Sequence, residues 1–488
     1  GAALAGLAGL GVTWLAARGL GAEQAGSLFA AMAAFTLVGG VARLGTVTGL
    51  VYWPARLRAL STPDLIGACL RAALPPVALA GLLLAVLTFA LAPVVAPAYA
   101  GPLRALAIFV PIAALADALL AATRGYRQMR PTVLLEKIVR PGAQLVLVVT
   151  AFAAGAPVAL WSVAWALPYL PVCVIAGVLV WRLSRPSRRP HPRPRLVIIG
   201  PTTLSQRMIR PFQRRGWTND HREMGGRFWR FTAPRAVANV AQTALQRVDV
   251  LLVAALAGLA PAAAYAVAGR FVVLGQLANG AINQVVQPRL AETLAVGDLP
   301  AARRLYRTAT GWLILTSWPL HLTVLQFAGD YLALFGTHYK QAAPVVRILA
   351  LAMLVATGCG MVDMVLAMGG RTVWNLANVL TALTVMVAVD LLLIPAYGIV
   401  GAAIGLACAV AVNNLLPLGQ ILLTLRLHPF GGETFAAALL TLVCFGAVPA
   451  ALHAIAPLPA IGAGALAYLV GVVLLRRHLP VTPLVRRA

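Results

Sequence analysis

Charge is what this 488-residue sequence has least of: 11% of its residues are Asp, Glu, Lys or Arg, and 61% are hydrophobic. Soluble domains carry about 25% charged residues, and a chain of this length keeps a large exterior that water must wet. The composition therefore excludes a soluble globular protein and leaves lipid as the solvent. Lysine is nearly missing, present only as Lys137 and Lys340, so arginine supplies almost all of the 39 basic residues. Acidic residues number 13, which sets the net charge at +26. The basic residues fall in short runs between apolar stretches rather than along one polar face. Membrane orientation explains them, and nucleic acid is not an expected partner. Cysteine is sparse and scattered: Cys69, Cys173, Cys359, Cys408 and Cys444 stand alone in apolar runs. Without CxxC or Cys/His spacing, neither a disulfide framework nor a zinc site is indicated, and no cofactor motif occurs. The chain opens at Gly1 inside an apolar run without Met, so the native start is expected upstream. Arg18 and the further spans after it argue against a signal peptide there.

What the sequence does have is long apolar runs. A helix needs roughly 20 apolar residues to span a bilayer. That ruler marks 2–17, 27–53, 65–92, 103–122, 133–153 and 158–181, then after a polar gap 231–258, 262–286, 308–328, 343–368, 373–394, 400–425, 435–453 and 460–475. The reading is an all-α polytopic membrane protein of about 14 transmembrane helices. The loops test the count. With the N-terminus inside, the inner loops hold Arg56 and Arg58, Arg124, Arg127 and Arg130, the arginine-rich 182–230, Arg289, Arg303, Arg304 and Arg307, Arg371, Arg426, and the tail arginines Arg476, Arg477, Arg486 and Arg487. The outer loops keep only Arg18, Arg104 and Lys340. Such a bias follows the positive-inside rule and places both termini in the cytoplasm.

The chain also repeats itself at an offset of about 240 residues: "LAARGLGAEQAGSLFAAMAAF" from Leu15 resembles "LVAALAGLAPAAAYAVAGRF" from Leu252. Pro54 and Asp64 recur as Pro288 and Asp298, Arg104 as Arg347, and Asp117 as Asp363. An even number of helices per half makes this a parallel repeat about the membrane normal, with a cavity expected between the halves. The expected division is a six-helix bundle at 1–181, a basic cytoplasmic linker at 182–230, a second six-helix bundle at 231–425, and two additional helices with a basic tail at 426–488. "RLSRPSRRPHPRPR" in the linker is too rich in Arg and Pro to pack. Beyond it, Leu204, Met208 and Phe212 share one helical face beside arginines. That pattern suits either a short interfacial helix on anionic membrane lipids or a solvated linker.

On these residues the sequence resembles a family. "RGLGAEQAGSLFAAMAAF" is similar to the first hairpin of bacterial polysaccharide-biosynthesis membrane proteins, the Wzx-type lipid-linked oligosaccharide flippases. The second half resembles them more closely, through "ALQRVDVLLVAAL", "AYAVAGRF", "VVQPRLAETL", "APVVRILAL", "LLLIPAYGIVGAAIG" and "NNLL". The resemblance covers nearly the whole chain. It implies the superfamily that also holds multidrug exporters of the MATE group and lipid II flippases. It further implies two six-helix bundles in a V, alternating access in the bacterial cytoplasmic membrane, and an undecaprenyl-pyrophosphate-linked glycan as cargo. Glycan-assembly enzymes are implied as partners. Arg43 and Asp390 depart from what is common at those places in the family.

A charge near the centre of a spanning helix costs roughly 2.5–3.5 kcal/mol, so it should face protein or water. Arg43, read on a continuous helix, sits near the midplane and is expected to donate to the pyrophosphate, because a guanidinium fork matches phosphate oxygens. The alternative is a buried pair with a helix-borne carboxylate. Arg247 and Arg270 are expected to support it, lining the cavity or closing ion pairs, with Asp249 facing Arg270 across the hairpin. Lys137 and Arg140, after Glu136, either snorkel to the headgroups or capture the incoming cargo. Asp117 and Asp363 occupy matching places in the halves and are read as inner anchors near Arg124 and Arg371, or as coupling groups. His321 and Asp390 are expected to make local hydrogen bonds. Prolines at Pro75, Pro76, Pro111, Pro141, Pro168, Pro171, Pro319 and Pro417 favour kinks.

Two competing functions share the fold or the membrane. A cation-coupled multidrug exporter needs carboxylates in its cavity, whereas arginines are expected there. A scaffold that recruits partners through 182–230 would not need charges inside the bilayer. An enzyme is disfavoured, since neither paired carboxylates nor a nucleophile triad is present. The topology has a direct test: a Cys placed by Ser187→Cys on a cysteine-free background should resist an impermeant external label in intact cells and react after permeabilisation. Labelling from outside would overturn the 14-helix reading.

Overall fold

A computed structural model describes residues 2–59, 65–184, 221–452 and 457–480, and among them there is helix and no strand. The first half contains α1 (Ala2–Gly19), α2 (Ala22–Ala42), α3 (Thr46–Ala59), α4 (Ile66–Val95), α5 (Ala100–Ala107), α6 (Val110–Gly125), α7 (Arg140–Ala153), α8 (Val158–Ala166) and α9 (Tyr169–Ser184). After the polar gap come α10 (His221–Leu245), α11 (Val248–Leu256), α12 (Leu259–Ala268), α13 (Arg270–Ala295), α14 (Leu299–Gln326), α15 (Ala328–Ala333), α16 (Ala343–Gly358) and α17 (Val362–Met368). The chain closes with α18 (Thr372–Tyr397), α19 (Ile399–Leu425), α20 (Gly432–Leu442), α21 (Val448–Ala451) and α22 (Pro457–Leu474). Among the described residues nine helical stretches are long and apolar enough to cross a membrane, or ten when α5 and α6, bent by 51° at their junction, form one span. Val94, Leu423 and Leu458 are among the large apolar side chains left bare, as a lipid-facing surface requires. This is an all-α, multi-pass membrane protein.

Helix continuity is the first correction. The expected span 27–53 is broken at Arg43, where Leu44 (φ 48°) and Gly45 (φ 71°) turn left-handed before α3 resumes at Thr46. Gly45 is needed here: a Cβ would lie 2.7 Å from the Ala236 backbone nitrogen and 2.9 Å from the Thr232 carbonyl oxygen of α10. Thr46 repairs the break, donating to the Arg43 carbonyl from both its backbone nitrogen (2.9 Å) and its hydroxyl (2.7 Å). A second correction concerns the linker. Helix α9 runs on to Ser184 and α10 begins at His221, so both ends of the expected 182–230 linker are helical. The candidate interfacial helix at 204–212 and the arginines at 486 and 487 lie outside the described residues.

Prolines set other interruptions. Pro111 opens α6 just after the bend, and Pro168 stands between α8 and α9. Pro141 and Pro449 each follow a segment wound with i→i−5 hydrogen bonds, Thr132–Val139 and Val443–Ala447. The reason is local: proline offers no N–H and its ring crowds the carbonyl four residues back, so the preceding turn widens. The Arg140 nitrogen bonds to Leu135 O and the Val448 nitrogen to Val443 O.

Two hydrophobic clusters define the interior. One joins α2 to α6 with α9 and reaches into α10 through Met224 and Phe228. The other mixes both halves, with Ala25, Leu28 and Ala30 of α2 packed among Ala262, Ala263 and Tyr265 of α12. The helix pair α2–α3 therefore touches the second half near both of its ends. Near its start, Gly26 meets the Leu259 carbonyl of α12 so closely that any Cβ would collide with it. Near its other end, Tyr52 stacks on Phe231 of α10 at 4.0 Å between ring centroids. Small residues permit such backbone approach in lipid, where packing rather than hydrophobic burial joins helices. Gly21 and Gly258, 237 residues apart, cap α2 and α12 in the same extended left-handed backbone (φ 74° and 100°). Gly26→Ala should cost about 1–3 kcal/mol of stability by overpacking and lower the melting temperature in detergent. Gly39→Ala on the same helix meets nothing within 4 Å and should be neutral or stabilising.

Candidate functional site

Between those two contacts, the middle of α2 (Phe29, Met32, Ala33, Thr36) faces a cavity of about 710 Å³. Its remaining walls come from α1, α7 and α8 of the first half and from α10 to α14, α16, α17 and α19 of the second. Two of the arginines singled out from the sequence line it. Arg247 caps the start of α11 at a break with α10, and Arg270 begins α13 beside Gly269. Both positions interrupt a helix, so each guanidinium leaves the backbone where the bundle opens. Arg270 lies over the Phe29 ring at 5.9 Å from the centroid. Neither guanidinium has a hydrogen-bond or ion-pair acceptor among the described residues, and the Nε atom of each is buried without a partner. A buried donor with no acceptor is costly, by about 1–3 kcal/mol and more when charged. These two are therefore poised for an anionic group.

Two carboxylates, Asp249 and Asp363, line the same cavity, but neither forms an ion pair with these arginines. Asp249, 5% exposed, accepts from the Tyr265 hydroxyl at 2.9 Å and from the Val250 nitrogen at 2.8 Å. The expected Asp249–Arg270 pair is thus not formed, because the tyrosine of α12 has taken the carboxylate. Asp363 lines the opposite wall, and Asn375 donates to its backbone carbonyl rather than to its carboxylate. No ion pair joins it to Arg371.

The remaining sequence candidates gather elsewhere. Arg43 is not among the lining residues. Its Nη1 lies 3.0 Å from Asp117 Oδ2, and Arg140 Nη1 lies 3.8 Å from Asp117 Oδ1. Asp117 therefore anchors Arg43 and Arg140, not Arg124. Arg43 is brought there by the left-handed turn that ends α2, and Arg140 by the widened turn before Pro141. Arg140 does not snorkel: it points inward over the Tyr169 ring at 4.8 Å. Lys137 stays apart and pairs with Glu136. From Tyr169 an aromatic chain runs through Phe35 (5.9 Å) to Trp165 (5.7 Å), whose carbonyl accepts from Gln144 at 2.9 Å. Trp165 and Gln144 belong to the cavity wall. The arginine–aspartate cluster keeps an excess of one positive charge directly behind that wall.

Neutral polar residues were missed by the sequence reading. Gln276, Asn279 and Asn283 all face the cavity from α13, and their three- and four-residue spacing is one face of a helix. That spacing is a readable signal, since an apolar span has no other use for such a row. Asn413 and Asn414 face the cavity from α19.

Arg43→Ala should destabilise the protein by leaving Asp117 with one partner, and Asp117→Asn should relieve part of that loss. A double-mutant cycle on unfolding in detergent is expected to give a coupling of about 0.5–3 kcal/mol. Additive effects would detach Arg43 from Asp117 in solution and return it to the list of cargo contacts.

No protein-family profile and no curated protein matches the chain. Solved structures do match its fold. The lipid II flippase MurJ in an inward closed conformation is similar at a TM-score of 0.73 and 12% identity, over 97% of this chain and 97% of the flippase. An inward-facing multidrug resistance MATE transporter of the MOP superfamily is similar at 0.62 and 14%, over 86% of this chain and 94% of the transporter. A MOP superfamily transporter from Pyrococcus furiosus, described as having a binding pocket of reverse polarity, is similar at 0.55 and 14%, over 86% and 92%. The architecture built above is the fold shared by MOP superfamily transporters.

Proposed function

We propose that the protein is a flippase, moving a polyprenyl-pyrophosphate-linked oligosaccharide or a related envelope glycolipid precursor across a bacterial cytoplasmic membrane by alternating access. One observation carries this: two guanidinium groups, Arg247 and Arg270, face a cavity of about 710 Å³ with no ion-pair or hydrogen-bond partner among the described residues. A diphosphate cannot enter hydrocarbon bare, and charge-assisted hydrogen bonds from arginine are roughly twice as strong as neutral ones. Gln276, Asn279 and Asn283 supply the neutral donors and acceptors that sugar hydroxyls need. The prenyl tail stays in lipid while the headgroup passes between the halves, residues 1–181 and 231–425. Helix α2 crosses α12 at one end and its continuation α3 meets α10 at the other. Opening one contact while the other holds exposes the cavity to one side at a time. Similarity to the lipid II flippase along 97% of the chain supports this reading. Cytoplasmic termini and association with glycan-assembly enzymes belong to the same proposal.

A second reading, a cation-coupled multidrug exporter, has one observation in its favour: Asp363 lines the cavity, and its carboxylate has no partner among the described residues. The two readings separate in proteoliposomes. Headgroup accessibility of a fluorescent polyprenyl-diphosphate saccharide should report flipping by the native chain. Arg247→Ala and Arg270→Ala should each slow it about 10- to 100-fold, the loss of one charged hydrogen bond of about 1.5–3 kcal/mol. Lysine at either position should restore part of the rate, since charge survives but the fork does not. If both alanine variants flip at the native rate while Asp363→Asn stops ethidium efflux, the exporter reading prevails.

A further inference from the structure

A second basic recess lies away from the central cavity, of about 500 Å³, where α13, α14 and the start of α20 meet. Three arginines line it: Arg289 from α13, and Arg304 and Arg307, one turn apart on α14. Opposite them stand Gly431, Gly432 and Glu433, the beginning of α20. No side chain caps that helix, so its free N–H groups and positive dipole end face the same space. Gly431 lets the turn come close, since a Cβ there would meet the Arg307 Cδ at 3.2 Å and Nε at 3.4 Å. Arg307 is held in place by His428, with Nη2 2.9 Å from Nε2, yet its own Nε is buried without a partner. Glu433 is the one acidic lining residue, and no ion pair joins it or any other described carboxylate to the three arginines. The recess therefore carries a net positive charge of two.

What borders the recess decides the occupant. Phe430, Phe435, Leu439 and Leu442 are all exposed. The last three fall four and three residues apart along α20 and form an apolar stripe running from the basic end into the membrane-crossing part of that helix. Val285 is exposed one turn from Arg289 on α13. Arginines in a pocket and bare apolar side chains leading out of it match the two ends of one molecule. We propose that this recess binds an anionic membrane phospholipid, its phosphate on Arg289, Arg304 and Arg307 and its acyl chains along Phe435, Leu439 and Leu442. Free phosphate would use the arginines and gain nothing from the stripe that adjoins them. The site is distinct from the central cavity and does not depend on what the cavity carries.

Native mass spectrometry of the full chain in detergent tests this with two probes, dioleoylphosphatidylglycerol and dioleoylphosphatidylcholine. The native protein should retain phosphatidylglycerol at least tenfold more tightly. The double variant Arg289→Gln/Arg304→Gln spares the Arg307–His428 contact and should weaken phosphatidylglycerol about tenfold or more, leaving phosphatidylcholine unchanged. Glu433→Gln removes the opposing charge and should tighten phosphatidylglycerol several-fold, which keeps the proposal testable if the double variant does not fold. Equal retention of the two lipids, an unchanged double variant, or weaker binding by Glu433→Gln would each overturn it. So would displacement of the lipid by excess inorganic phosphate, which would make the recess a site for the free anion.

Discussion

An ionised group in a low-dielectric interior needs a counter-charge, a set of hydrogen bonds, or water, and the helices of this protein are arranged around that need. Several intramembrane charges meet it in different ways. Asp117 is shared by Arg43 and Arg140. Asp249 is held by a tyrosine hydroxyl and a backbone nitrogen. Arg247 and Arg270 face a cavity instead of a partner. The division separates charges paired between helices from charges that line an open space. It also accounts for the order of the wall: the paired cluster lies behind Trp165 and Gln144, and the free pair lies in front of it.

Backbone irregularity follows the same constraint. A spanning helix that stops must have its freed carbonyls satisfied inside the protein. At Arg43 the repair is Thr46, which donates twice to one carbonyl. The breaks at Arg43, Arg247 and Arg270 each place an arginine at the end of a helix. A charged side chain at such a point gains reach that a mid-helix position lacks, because neighbouring turns no longer crowd it.

Much of this was legible in the residues. Runs such as 65–92 and 373–394 gave the spans directly, and helices Ile66–Val95 and Thr372–Tyr397 lie over them. Arg247 and Arg270 were legible as cavity residues because hydrocarbon leaves an arginine few other places. The fate of Arg43 was not. Its depth was counted along an unbroken helix, and nothing in "GGVARLGT" separates a kink from a left-handed turn; the turn is imposed by α10, 190 residues away. The partner of Asp249 was missed for a related reason. Opposite charge drew attention to Arg270, whereas Tyr265, one helix nearer, offered a neutral donor that hydropathy patterns hide. The row Gln276, Asn279 and Asn283 is visible as a helical face, and all three line the cavity.

The widened turn at Thr132–Val139 bears on how this chain should be aligned with others. An i→i−5 turn holds one residue more than its α-helical counterpart, and one residue is worth about 100° of rotation. A helical wheel drawn straight through this segment puts Arg140 on the wrong side of the helix by that angle, facing lipid instead of Asp117. A relative without Pro141 can hold its arginine in the same place with one residue fewer. A single-residue gap before that position is then the signature of a conserved geometry, not of a damaged one. The same arithmetic applies to Val443–Ala447 before Pro449.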